Sequence, residues 1–272
     1  MPSAAGSRPG PWAFPSPPFD EELLSSYLVR ASFRHGLSPS RFCAYHFPGV
    51  PIWNRDIDCS ATASFAKCLA ELAGVSEAQV IAMQLRGPSG AATDRIWLNA
   101  VGIFHRKRRR HGLAFCPACL QDVGYFRRAW RHSAVTLCGR HAVSLLDACQ
   151  RCNAPVMPHR QELDLTWCSE CSADLKGMTM TPAPPGLHAF QQQLWAATAQ
   201  INIELCGTQV PSQDYLRGVR QVLPVLAKAR LKRTAPVLLK DALRAGLEHS
   251  RVDERQQLLA LVADVVDPWP DG

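Results

Sequence analysis

Residues 116–156 read CPACLQDVGYFRRAWRHSAVTLCGRHAVSLLDACQRCNAPV. This stretch holds three pairs of metal-type side chains, CPAC, CGRH and CQRC, and a fourth pair, CSEC, follows at residues 168–171. Two residues between the members of a pair let one tight turn present both side chains to the same ion, and two such turns complete a tetrahedron. The spacing therefore predicts two structural Zn²⁺ ions, one held by three cysteines and a histidine and one held by four cysteines. The predicted ligands are Cys116, Cys119, Cys138, His141, Cys149, Cys152, Cys168 and Cys171.

Other chemistries of cysteine pairs fit this pattern less well. A thioredoxin-like redox motif has one Cys-x-x-Cys pair after a strand, and disulfides conflict with a reducing cytosol. A catalytic zinc ion needs an open coordination position and a general base, whereas all eight side chains here are needed as ligands, so we predict no catalytic residues. Joining the first pair to the second and the third to the fourth is the simplest arrangement. A cross-braced pairing uses the same ligands, and iron is the alternative to zinc.

Aromatic and arginine side chains alternate between the first two pairs, in YFRRAWR at residues 125–131. These residue types suit base stacking and phosphate contact, and they also dominate protein interfaces. A third interpretation is an amphipathic ribbon whose aromatic side chains lie in the core. The candidates for nucleic-acid or partner contact in this ribbon are Tyr125, Arg127, Arg128, Trp130 and Arg131.

The positive charge of the chain is concentrated in one segment. The formal net charge is +7, and residues 101–141 hold nine basic and one acidic side chain, while residues 1–100 hold eight of each. Such a concentration attracts phosphate backbones. The run HRKRRRH at residues 105–111 therefore predicts contact with nucleic acid or an acidic partner, with a solvated loop as the alternative. The basic candidates are Arg106, Lys107, Arg108, Arg109 and Arg110.

The chain as a whole predicts a mainly α-helical protein with small β zinc ribbons. The first helix is expected within residues 19–36, with Asp20 as its N-cap. In the C-terminal part, Phe190, Leu194, Ala197, Ile201 and Leu205 recur at helical spacing, and Asp253 is the expected cap of the last helix. The predicted units are an extended Pro-rich arm at 1–18, an N-terminal helical domain at 19–111, tandem zinc ribbons at 112–176, a linker at 177–187, and a helical bundle at 188–266.

Residues 62–86, within the N-terminal domain, predict two short helices joined at GVS, which is the packing pattern of a helix-turn-helix. A helix that reads the major groove usually carries Arg, Lys, Asn or Gln. The second helix offers only Gln79 and Gln84. Packing or protein contact is therefore favoured over DNA contact for this unit.

The sequence has the character of a cytosolic protein. No apolar run approaches the length of a membrane span, and the first residues, MPSAAGSRPGPWAFPSPP, lack the apolar core of a secretory signal. Thiols stay reduced in that compartment. The cysteines outside the four pairs are therefore expected to be buried free thiols; they are Cys43, Cys59, Cys68 and Cys206.

The string at residues 116–156 strongly resembles the TniQ family, and the resemblance extends over about residues 14–206. Members share four features, which stand here as CPAC at 116–119, YFRRAWR at 125–131, CGRHAVSLL at 138–146 and CQRC at 149–152. The segments PFDEELLSSYLVRASFRHG and LAELAGVSEAQVIAMQL also resemble the opening and the small helix-turn-helix of the family. Gly139 stands where Pro is frequent and Asn153 where Gly is frequent, and neither departure removes a ligand.

The resemblance implies a bacterial adaptor for target selection in DNA transposition, not an enzyme. TniQ proteins link a target-recognition element to an AAA+ ATPase, which recruits the transposase. In CRISPR-associated transposons the reader is an RNA-guided effector complex with guide RNA and target DNA, and TniQ docks on it, often as a homodimer. The short helical bundle leaves little room for an extensive DNA-reading module, so docking on such a reader is the expectation. The alternative is a sequence-specific DNA-binding target selector or regulator that acts without a CRISPR complex.

Overall fold

The computed structural model describes residues 10–85, 97–99, 111–161, 163–184, 186–199, 201–230, 243–244 and 246–266. These residues are mainly helical and include two small antiparallel strand pairs, which confirms the predicted fold class. The helices are α1 (Leu24–Arg34), α2 (Pro39–His46), α3 (Ile57–Ser60), α4 (Ala63–Ala73), α5 (Glu77–Ala82), α6 (Pro117–Val123), α7 (Leu187–Thr198), α8 (Ser212–Arg230) and α9 (Val252–Val266). The strands are β1 (Leu137–Cys138) with β2 (Val143–Ser144), and β3 (Ile203–Leu205) with β4 (Thr208–Val210). Within the described ranges, no helix is both long and apolar enough to cross a bilayer.

Helices α1 to α5 enclose the first of three apolar cores. The start of α1 differs from the prediction, because the helix begins at Leu24 and Asp20 does not cap it. The preceding residues instead pair antiparallel with the ribbon: Leu23 N donates to Phe126 O (2.9 Å), and Arg128 N donates to Glu21 O (2.9 Å). This extended pairing uses the backbone groups that an earlier helical turn would need.

The two helices predicted at residues 62–86 are α4 and α5. Thr62 Oγ1 accepts a hydrogen bond from Phe65 N and caps α4. Gly74 ends that helix in the left-handed region, with φ of 68°. Ser76 and Gln79 then form a capping box at the start of α5, which is only six residues long.

The C-terminal core is built from α7, α8, α9 and the β3–β4 hairpin. The helical face predicted to continue to Ile201 and Leu205 is wrong, because α7 ends at Thr198. The chain then forms the hairpin through Cys206 and Gly207, whose φ values of 48° and 74° are those of a tight hairpin turn. The predicted cap at Asp253 is also wrong, since α9 begins one residue earlier and Asp253 lies in its first turn.

The ribbon between the first two ligand pairs is buried where the three cores meet. Towards the N-terminal helices, Arg131 donates to Asp56 (2.6 Å) and Asp58 (2.9 Å). Asp58 also accepts hydrogen bonds from the backbone N and the hydroxyl of Ser25, at 2.7 and 2.9 Å. The guanidinium therefore joins α1, the segment around α3 and the cysteine region.

Residues 133–137, which follow the ribbon in the chain, are held by the C-terminal helices. Gln191 of α7 accepts hydrogen bonds from Thr136 N (2.6 Å) and Leu137 N (2.9 Å) and donates to Ala134 O (2.8 Å). Arg255 of α9 donates to Ser133 O (2.8 Å). Backbone groups of residues 133–137 that would otherwise be buried without partners are satisfied in this way.

Replacing Arg131 by methionine should lower the free energy of unfolding by about 3–5 kcal/mol, because Asp58 would be left buried without its counter-ion. Burial already raises the pKa of Asp58 to about 7 despite the opposing effect of Arg131. Urea unfolding of the metal-loaded chain measures this change. Adding Asp58→Asn to Arg131→Met should recover at least ~1 kcal/mol, and Arg151→Met at the surface should have almost no effect. Additive losses in the double variant would contradict the proposed coupling.

Candidate metal centres

The first cluster brings together Cys116, Cys119, Cys138 and His141, whose ligand atoms all lie within 4.8 Å of one another. Cys116 is the residue before α6, and Pro117 takes the first helical position, where the missing N–H costs no hydrogen bond. Cys138 ends β1, and the β1–β2 turn carries His141. The three sulfurs are buried and the imidazole is half-buried.

The imidazole of His141 is oriented from both sides. Its Nδ1 faces the sulfurs, at 3.3 Å from Cys119 Sγ and 3.6 Å from Cys116 Sγ and Cys138 Sγ. Its Nε2 lies 3.1 Å from Asp122 Oδ2 on α6. A carboxylate on the outer nitrogen fixes the ring and favours the tautomer whose inner nitrogen is free to bind a metal ion. No spacing motif marks Asp122 as a partner of His141, although its position three residues after Cys119 places it on the helix that the first pair begins.

The second cluster brings together Cys149, Cys152, Cys168 and Cys171, again with all sulfurs within 4.8 Å. Cys149 lies 3.7 Å from Cys171, and Cys152 lies 3.7 Å from Cys168. The structure therefore joins the pairs sequentially, the first with the second and the third with the fourth. This cluster is nearer the surface, because Cys152 is exposed and Cys171 is half-buried.

Three of the four turns share one backbone geometry. The residue after the second ligand adopts positive φ, namely 51° at Ala142, 56° at Asn153 and 55° at Ser172. In each turn its backbone N donates to the carbonyl of the first ligand residue, at 2.8 to 2.9 Å. Asn tolerates this conformation better than most residues, which explains why Asn153 can stand where Gly is frequent in the family.

A close backbone contact couples the two clusters. A Cβ atom at Gly112 would clash with Val156 N and would lie only 2.5 Å from Asp147 O, so only glycine fits there. Phe115 and Leu146 exchange two backbone hydrogen bonds, at 2.7 and 2.9 Å. The two cysteine clusters are consequently parts of one packed unit with a shared apolar core.

Each cluster has one cysteine that is favoured as the thiolate. Hydrogen bonds from Cys116 and Cys119 lower the pKa of Cys138 to about 2. In the second cluster a backbone N–H at Ala173 lowers the pKa of Cys171 to about 7. Hydrogen bonding to neighbouring sulfurs and burial raise the pKa values of Cys116 and Cys119 in the first cluster and of Cys152 and Cys168 in the second. The donor sets, three thiolates with one imidazole and four thiolates, match those of closed tetrahedral sites, so each cluster could hold a metal ion with no coordination position left for a substrate.

The structure gives the predicted partner-contact residues of the ribbon a different environment. Tyr125, Arg127, Trp130 and Arg131 are each at most 3% exposed, so their side chains form core contacts, the interpretation left open above. Only Arg128 is half-buried. The basic run Arg106, Lys107, Arg108, Arg109 and Arg110 lies outside the described residues.

Two further expectations were tested by burial. Gln84 is 1% exposed and is not available to read a base, and the exposed Gln79 uses its Oε1 as an acceptor in its own capping box. Among the cysteines outside the clusters, Cys43 is buried as expected and Cys59 and Cys68 are half-buried. Cys206 is exposed in the β3–β4 turn, so the prediction that it is buried is wrong.

A comparison with protein families identifies residues 13–145 as a match to the TniQ family. The matched range includes α1 to α6, the buried ribbon and the complete first cluster. The resemblance found in the sequence is confirmed for this range. A search of curated proteins gave no match.

Two single variants, Cys119→Ser in the first cluster and Cys152→Ser in the second, each remove one ligand. Each variant should lose about one bound metal ion per chain, because a closed site loses its tetrahedral donor set. The melting temperature should fall strongly, since a structural zinc ion contributes on the order of 10 kcal/mol to folding. Elemental analysis and thermal unfolding measure both effects. Cys206→Ser is the matched control and should keep both ions; full metal content and stability in Cys119→Ser would refute the assignment.

Replacing Asp122 by alanine should weaken metal binding at the first cluster by about 10–100-fold, since the outer nitrogen of His141 would lose its carboxylate partner. Competition between Co²⁺-loaded protein and a chelator, followed through the cobalt absorbance, measures the affinity. Glu204→Ala, on the distant hairpin, is the control. Equal affinities in the two variants would show that Asp122 does not position the ring.

Proposed function

We propose that this chain, whose residues 13–145 match the TniQ family, is a non-catalytic adaptor for target selection in DNA transposition. In this proposal it links a target-recognition complex to an AAA+ ATPase in the bacterial cytoplasm. The family match is the observation that carries the proposal. The family suggests a transposition-associated adaptor, and the identities of the two partners are the proposed part.

Two Zn²⁺ ions would have a purely structural role in the adaptor. Each cluster supplies four ligands, and no ligand position is left for an activated water molecule. The ion of the first cluster would fix the turns at both ends of the buried ribbon, since Cys119 precedes it and Cys138 follows it. The ribbon in turn contacts Asp56 and Asp58 through Arg131, and residues 133–137, which follow it, contact Gln191 and Arg255.

The proposed target reader is a separate complex, for which an RNA-guided CRISPR effector is our first candidate. The α4–α5 unit supports this choice, because α5 has six residues and carries no Arg or Lys. The one glutamine of α5, Gln79, uses its Oε1 in the capping box, and Gln84, which follows the helix, is buried. A major-groove reader needs several free polar side chains on one helix face, so delegation of target reading to another component is favoured over direct recognition by this unit.

Affinity purification of the tagged full-length chain from its native host tests this proposal. We expect an AAA+ ATPase together with CRISPR effector subunits and guide RNA, identified by mass spectrometry and sequencing. The Cys119→Ser variant should lose these partners, because the ribbon would no longer be held, whereas Cys206→Ser should retain them.

Each other outcome has a defined meaning. Recovery of the ATPase with one enriched DNA sequence and no effector would replace the RNA-guided reader by direct DNA target selection. Recovery of neither an ATPase nor a target-recognition complex would contradict the adaptor function itself.

A further inference from the structure

A long stretch of the N-terminal domain carries positive charge only. Residues 23–55 contain four arginines and no Asp or Glu. Arg30 is neutralised internally, because its guanidinium lies 2.7 Å from Glu22. Arg41 and Arg55 are exposed, and neither forms an ion pair with any residue that the structure describes.

These exposed arginines are close in sequence to the residues that form and hold a packed aromatic pair. Trp53 Nε1 donates to Pro39 O at the start of α2 (3.2 Å). The indole also stacks on the imidazole of His159, with ring centroids 5.1 Å apart and an interplanar angle of 23°. Burial lowers the pKa of His159 to about 4, so the stack is neutral near pH 7. The segment Pro158–Arg160 is thereby held against α1 and α2.

Each residue of these contacts has an arginine within two positions of it in the sequence. Arg41 follows Pro39 by two residues, Arg55 follows Trp53 by two residues, and Arg160 directly follows His159. Consecutive Cα atoms are about 3.8 Å apart, so each arginine Cα lies within about 8 Å of a contact residue. Arg160 is also exposed. Three exposed arginines from separate parts of the chain therefore have their backbones close to one neutral stack.

An exposed aromatic ring completes this surface. Tyr45 is 66% exposed and lies four residues after Arg41 on α2, so both side chains are on the same helical face. A solvent-exposed ring beside arginines offers a base a stacking platform while the arginines contact the phosphates. Tyr and Arg side chains also occur together at protein interfaces, so the test below includes an acidic competitor.

We propose that this α2 surface, defined by Arg41, Tyr45, Arg55 and Arg160, binds single-stranded nucleic acid. The arginines contact phosphates and Tyr45 stacks on an unpaired base. None of these four residues belongs to the basic run at residues 106–110 or is a ligand in a metal cluster. The inference does not rest on the adaptor function, because it concerns binding by the chain alone.

Fluorescence anisotropy with the metal-loaded full chain tests the proposal, with labelled 20-nucleotide oligo(U) and oligo(dT) as separate probes and a duplex for comparison. The triple variant Arg41→Gln, Arg55→Gln, Arg160→Gln should bind both single strands at least about tenfold more weakly. The slope of the logarithm of its association constant against the logarithm of salt concentration should become less negative by about 2. Each phosphate contact contributes about 0.7 to the magnitude of that slope for a single strand. Tyr45→Ala should weaken binding about fivefold or more and leave the salt slope unchanged.

The matched control removes the same charge elsewhere, with Arg151→Gln, Arg217→Gln and Lys228→Gln at exposed positions. This variant should bind almost as the parent does, and all variants should keep their metal content and melting temperature because the changes are at the surface. A difference between oligo(U) and oligo(dT) would identify RNA or DNA as the preferred strand.

Three results would overturn the proposal. Equal losses in the triple variant and the charge-matched control would show that net charge alone attracts the strand. Full binding by Tyr45→Ala, with poly-glutamate competing as well as an oligonucleotide, would reassign the surface to an acidic protein partner. Tighter binding of the duplex than of either single strand would exclude base stacking.

Discussion

The guanidinium of Arg131 lies where three parts of the chain meet, and its burial there requires ion-pair partners. It is 1% exposed and contacts two carboxylates, of which Asp58 is fully buried. A buried charge of this kind is costly unless both its charge and its hydrogen-bond donors are matched. The buried carboxylate of Asp58 has the same requirement, and Ser25 meets part of it by donating two hydrogen bonds. The network therefore extends into α1. The position of the N-terminal helices is thus defined by a residue of the cysteine region.

The ligands of the first metal cluster flank this network in the sequence. Arg131 lies between the two ligand pairs of the first cluster, and residues 133–137 lead directly into Cys138. That segment has little regular structure of its own, since β1 has two residues, and its polar backbone groups depend on Gln191 and Arg255. A metal ion that joins Cys116 and Cys119 to Cys138 and His141 would close the loop and reduce the conformations open to the unfolded chain. Metal binding, burial of Arg131 and docking of the C-terminal helices are therefore expected to be cooperative.

Local features could be predicted from the sequence, and features that depend on distant residues could not. The ligand pairs were identified because a two-residue spacing fixes their geometry within a single turn, and the α4–α5 pair because Gly74 and Ser76 give local stop and start signals. The role of Arg131 could not be identified, because its partners at positions 56 and 58 are more than seventy residues away. The start of α1 was misplaced for the same reason, since backbone pairing with residues 126–128 keeps residues 21–23 extended. The role of Asp122 could not be predicted either, because it depends on which nitrogen of His141 faces the sulfurs.

The same network changes the meaning of the charge distribution. Residues 1–100 have equal numbers of acidic and basic side chains, which suggests a neutral N-terminal domain. Three of those carboxylates, at Glu22, Asp56 and Asp58, form ion pairs with Arg30 or Arg131, so they contribute little negative potential at the surface. Arg131 comes from outside residues 1–100, and it neutralises carboxylates that could otherwise balance exposed arginines such as Arg41 and Arg55. Burial of one arginine from the ribbon thereby leaves the surface around α2 positive, because Coulomb attraction to a phosphate depends on the charges that remain near solvent and not on the formal sum.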